Sequence, residues 1–153
     1  MEDSRSQISE ESITFLKNLF LQKSYPENTI ILQQKYQFTW NELSFSFSLP
    51  LIIIYQEKCL LILDYHPSKR SLGHLERPLV AIARLFFNPS PNFAILTNGE
   101  DFHLIEVYPL RIKKGKSEII PTFSELLSYK PSETKSFSKE VEEKILAFYL
   151  CDG

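Results

Sequence analysis

The stretch Leu60-Leu61-Ile62-Leu63-Asp64-Tyr65-His66-Pro67 decides how the rest of the chain is read. Four aliphatic residues in succession, closed by a proline, suit a strand buried on both faces. Residues two apart on a strand face the same side, so this one delivers a carboxylate, Asp64, and an imidazole, His66, to one patch of space. Just upstream, Leu51-Ile52-Ile53-Ile54-Tyr55 has the same character, and Gln56-Glu57-Lys58 is a short polar connection. Two strands so closely linked form an antiparallel hairpin. Apolar on both faces, the pair belongs at the centre of a sheet.

Working outward, Ser9 is a helix N-cap with Glu10 and Glu11 in the first turn, where the helix dipole favours them. Ile13, Leu16, Leu19 and Phe20 then recur at helical spacing. Thr29 to Phe38 reads as a strand, Trp40-Asn41-Glu42 as a turn, and Pro50 as an interruption of the apolar run from Phe45 to Tyr55. Downstream, Pro67 to Gly73 is a loop carrying Lys69 and Arg70. A helix follows, with Pro78 in its first turn, Leu79, Ile82, Leu85 and Phe86 as its apolar face, and Asn88-Pro89-Ser90-Pro91 as its stop. Phe93 to Thr97 and Phe102 to Tyr108 are strands, joined by Asn98-Gly99 as a tight turn with positive φ angles. Arg111, Lys113, Lys114 and Lys116 form a basic turn around Gly115. Thr122 caps a short helix, and Ser138 caps a last one whose apolar face is Val141, Ile145 and Phe148.

The whole predicts an α/β fold: a mixed central sheet of four to five strands flanked by helices. At 153 residues the chain is read as one domain, with the helix over about 138–150 packed on it or as an appendage. Twelve Phe and seven Tyr supply a folded core. No apolar run reaches the roughly 18–20 residues a membrane span needs. The N-terminus lacks a basic flank followed by an apolar stretch, which predicts a cytoplasmic protein without a signal peptide. Cys59 and Cys151 are read as free thiols. The net charge of −2 offers no global field for a polyanion, so nucleic acid would have to meet a local patch.

The order helix, strand, strand hairpin, helix, strand, turn, strand resembles the N-terminal domain of the type I restriction enzyme R subunit, in the restriction-endonuclease-like superfamily with its Asp…(Asp/Glu)-x-Lys motif. The likeness runs from Ile13 to Leu127. Its marks are Tyr25-Pro26-Glu27, the motif stretch Leu61-Ile62-Leu63-Asp64-Tyr65-His66, and Phe93-Ala94-Ile95-Leu96-Thr97-Asn98-Gly99. The stretch Glu76 to Leu85 also resembles small stand-alone bacterial proteins carrying this domain. Three departures accompany the likeness. The first acidic position holds Pro50-Leu51, the lysine position holds His66, and the Gln-Tyr pair common on the next helix is replaced by Glu76-Arg77.

The resemblance implies a nuclease-fold protein whose altered motif leaves it catalytically inactive, serving as a binding module for nucleic acid or for a partner protein. An active metal-dependent DNA endonuclease and a structural module with no nucleic-acid role are the alternatives. In the enzyme reading, Asp64 ligates Mg²⁺ and His66 is the neighbouring base. In the plainer reading, both are polar residues at a strand end. Lys69, Arg70, Arg77, Asn98, Lys113 and Lys114 are the candidate nucleic-acid contacts; the plainer reading is a helix first turn for Arg77, a hairpin turn for Asn98 and solvated charges for the lysines and Arg70. His74 and His103 lack metal-ligand spacing, and Phe45 and Phe47 are either a stacking platform or sheet core.

Overall fold

A computed structural model describes residues 8–67, 72–132 and 134–152. Helix α1 (Glu10–Gln22) opens on Ser9, whose side chain accepts from the Ser12 amide. A long hairpin follows, β1 (Ile30–Trp40) and β2 (Leu43–Tyr55), and β3 (Lys58–Tyr65) continues the antiparallel meander. Helix α2 (Glu76–Phe86) crosses back so that β4 (Phe93–Thr97) pairs parallel to β3. Strands β5 (Phe102–Glu106) and β6 (Arg111–Gly115) extend the sheet antiparallel, and α3 (Phe123–Ser128) and α4 (Lys139–Asp152) complete the chain.

The sheet therefore has six strands in sequential order, more than the four to five expected. The extra strand comes from Arg111–Gly115, read from sequence as a basic turn and found paired along all of β5. Lysines are common on an edge strand because they discourage further pairing, so the basic composition concealed the strand. Nor does Pro50 interrupt β2, which runs through it. The ladder pairs Leu32 with Leu51 and Gln34 with Leu49, skipping Gln33, at φ 53°, and Pro50. Proline has no amide hydrogen to donate, and the hairpin changes sides there. Ile30 and Leu51 belong to one hydrophobic cluster, whereas Phe38, Phe47 and Leu49 belong to the other. Beyond the bend, Tyr36 and Phe47 stack on each other and meet Phe86 edge-on. Phe47 is thus core, and Phe45 packs half-buried against it.

The two hairpin turns carry their positive φ angles on Asn41 and Glu42 and on Gln56 and Glu57, without glycine. One sheet face packs on α1 and α3, with Leu16, Phe20, Leu51, Leu61 and Ile95 at its centre. The other packs on α2 and α4, through Ile62, Val80, Ala83, Leu96, Leu146 and Leu150. Helix α4 is thereby docked on α2, but not by the face expected of it. Val141 and Phe148 are 49% and 66% exposed, while Glu142, Leu146, Ala147 and Leu150 are buried. Sequence reading places a carboxylate on the solvent side of a helix, and here that rule turned the helix around. Among the described residues, no helix is long and apolar enough to cross a membrane.

Candidate functional site

Among the described residues one strand pair is parallel, β3 with β4; it ends at Tyr65 and Thr97, and Asp64 and His66 sit at that end. The His66 amide donates to the Thr97 carbonyl at 2.9 Å, which extends the strand by one residue. Asp64 Oδ1 accepts from the Tyr65 amide at 2.9 Å, and Oδ2 lies 3.1 Å from His66 Nε2. The Tyr149 hydroxyl of α4 lies 3.4 Å from the same nitrogen. The register then sets Asp64 beside Leu96, Leu96 beside His103, and His103 beside Lys114. Directly paired residues share a face, so all four belong to the α2 side. His103 Nδ1 is 2.5 Å from Glu76 Oε2 in the first turn of α2. Two imidazole–carboxylate pairs thus flank Leu96, their strands about 10 Å apart.

A hard cation such as Mg²⁺ takes oxygen ligands and is usually held by one or two carboxylates with substrate oxygens. The donor set here fits it poorly. Leu51 pairs with Leu63 on the neighbouring strand, and neither Leu51 nor the preceding Pro50 has a ligating side chain. Both Asp64 oxygens already have partners, and Glu76, the nearest other acid of the row, is engaged by His103. Among the described residues, no group of three or more His, Cys, Asp or Glu side chains gathers where it could hold a metal ion. Cys59 offers no nucleophile either: burial pushes its thiol up to about 12.

The candidate nucleic-acid contacts do not converge. Lys69 and Arg70 lie outside the described residues. Asn98 is spent on its own loop, its Oδ1 accepting from the Glu100 and Asp101 amides at 2.9 and 2.8 Å. That loop is consequently wider than the expected tight turn, and positive φ falls on Gly99 and not on Asn98. Lys113 and Lys114 are exposed on β6, adjacent in sequence and so on opposite faces. Lys116 is paired with Asp101 at 2.6 Å.

Arg77 is not a free cation. Its Nη1 and Nη2 donate to Glu142 Oε1 and Oε2 at 2.6 and 2.7 Å, and Arg84 Nη1 donates to Oε2 at 2.9 Å. Burial would raise the Glu142 carboxyl, but the hydrogen bonds and charges of the two guanidinium groups outweigh it and hold the group below the usual carboxylate value. Arg84 is further placed by donating from Nη2 to the Val107 carbonyl at 2.8 Å and by stacking 4.6 Å over the Tyr108 ring. Sequence reading did not single out Arg84, Glu142 or Tyr149, and named His103 only to leave it without a metal role. Arg77 and Arg84, seven apart on one helix, were the available signal for two cations on a common face; their acceptor lies on another helix. Searches among protein-family models, curated proteins and solved structures match nothing to this chain.

Proposed function

We propose that the chain is a nucleic-acid-binding module of the restriction-endonuclease-like kind, similar to the type I R subunit N-terminal domain, in which cleavage has been lost. The observation that carries this reading is the position of Asp64, at the end of a central strand where the motif carboxylate is expected, with Pro50 and Leu51 on the neighbouring strand where a second acid would be needed. The order of elements, an antiparallel meander joined through a helix to a parallel strand, supports the same family. Exposed Lys113 and Lys114 on the edge strand support contact with phosphates. A protein partner is the second reading, favoured by Val141 and Phe148 standing exposed on α4.

The experiment is fluorescence anisotropy of labelled single- and double-stranded oligonucleotides over a salt series, with parallel cleavage assays in Mg²⁺ and Mn²⁺. Binding weakens as salt rises, and Lys113→Glu with Lys114→Glu both weakens it and flattens its salt dependence, by about 0.9 in logarithmic slope for each phosphate no longer neutralised. No cleavage accompanies binding. Absence of binding at low salt transfers the weight to a protein partner. Cleavage that Asp64→Ala abolishes restores the enzyme reading.

A further inference from the structure

The Glu142 carboxylate is held as a ligand is held. Arg77 grips both of its oxygens in a forked pair, and Arg84 adds a third bond to Oε2, so one oxygen serves two guanidinium groups. The forked geometry is the one by which arginine recognises carboxylate and phosphate alike. Arg84 is placed independently of Glu142, by the Val107 carbonyl and the Tyr108 ring, while Arg77, in the first turn of α2, meets Glu142 itself. One donor is left over. Arg84 Nε is buried and has no hydrogen-bond partner among the described residues. A carboxylate has two oxygens to offer, and a phosphate group has more. The cradle thus keeps one donor, Arg84 Nε, that its present occupant leaves without a partner.

Apart from its bonds to the two arginines, the turn that carries Glu142 is tied at the helix start. Glu142 lies in the first turn of α4, held by the Glu142 amide donating to the Ser138 carbonyl and the Val141 amide donating to the Ser138 hydroxyl. The apolar residues that dock the helix, Leu146, Ala147 and Leu150, come a turn or more later. Withdrawing Glu142 requires the first turn to unwind, as helix ends can, and its three bonds to the two guanidinium groups to break, while the rest of α4 stays on α2.

We propose that Arg77 and Arg84 form a phosphate-binding site that Glu142 occupies in cis, so that the first turn of α4 is its built-in blocker. The site does not depend on the nucleic-acid reading for inorganic phosphate; it rests on that reading where the phosphate belongs to a nucleic-acid backbone. The plain alternative is a buried ion triad that only ties α4 to α2.

The test is thermal unfolding of the full chain in sodium phosphate against sodium chloride at matched ionic strength. Phosphate raises the Tm of Glu142→Ala well above its value in chloride, because a ligand of the folded state alone stabilises it by mass action. The wild type responds far less, and Glu142→Ala combined with Arg84→Ala does not respond. Ser138→Ala, which keeps Glu142 and weakens only the helix start, binds phosphate about fivefold more tightly than wild type, the worth of one N-cap. A Glu142→Ala chain whose response to phosphate equals the wild type's, or one that fails to fold at every phosphate concentration, overturns the proposal and leaves a structural triad. Anisotropy with a labelled oligonucleotide separates the sources. Tighter oligonucleotide binding by Glu142→Ala identifies a backbone phosphodiester as the ligand. A gain confined to inorganic phosphate keeps the site and assigns it to free phosphate.

Discussion

Two carboxylates lie on the same side of the sheet, Asp64 at the end of β3 and Glu142 in the first turn of α4, and their surroundings differ in kind. Asp64 is 14% exposed, bonded to a backbone amide and an imidazole. Glu142 is 2% exposed and bonded to two permanently charged guanidinium groups. The first is a polar strand end that its neighbours satisfy locally, two of its partners being the next two residues. The second is a charge taken out of water and compensated by residues 58 and 65 positions away. Removing a carboxylate from the first place leaves little behind. Removing it from the second leaves two cations facing each other, Arg84 largely buried and Arg77 one-third exposed, and a partly buried charge without its counter-charge is costly. The residue that looked chemical in the sequence is thus the energetically quieter of the two.

The largest expected effect follows directly. Glu142→Ala in chloride buffer destabilises the fold by about 3–5 kcal/mol, measured by urea unfolding; a loss near zero would break the contrast. The comparison sharpens with pH. The folded Glu142 carboxyl titrates below its unfolded value, so its contribution is present above the unfolded pKa and is lost as pH falls through the lower folded pKa. Unfolding free energies measured from neutral pH downward therefore decline through the acid range in the wild type, and Glu142→Gln removes part of that decline. An unchanged acid limb in Glu142→Gln would mean that other carboxylates dominate it.

The smallest effects belong to the other carboxylate. Asp64→Asn costs about 1 kcal/mol, the worth of one ordinary hydrogen bond, and Tyr149→Phe, which removes a hydroxyl 3.4 Å from His66, costs about 0.5 kcal/mol or less. Both are read by the same urea midpoint. A loss at Asp64 as large as that at Glu142 would erase the distinction between the two sites.

What was legible in the sequence was whatever depends on neighbours along the chain. The helix starts at Ser9 and Thr122 rest on a hydroxyl and the amide three residues on, and both were readable as such. The β2–β3 hairpin followed from two apolar runs and a polar link, and the juxtaposition of Asp64 and His66 from a two-residue period. Period also placed the apolar face of α2, where Leu79 and Ile82 are buried. It failed on α4, because pattern reading counts Glu142 as a solvent residue and cannot see the arginines that neutralise it. It failed on Arg111–Gly115 because an edge strand answers to the risk of further pairing and not to burial, so its composition is that of a turn.

The sequence by itself therefore determined the class of fold, the central strands and the patch that Asp64 and His66 share, since each follows from spacing along one segment. Tertiary structure alone decided that Arg111–Gly115 is a paired strand, which face of α4 is buried and which carboxylate Arg77 and Arg84 hold. Those are pairings between separate segments of the chain, governed by strand register and by the electrostatics of a water-poor interior. No local pattern encodes either of them.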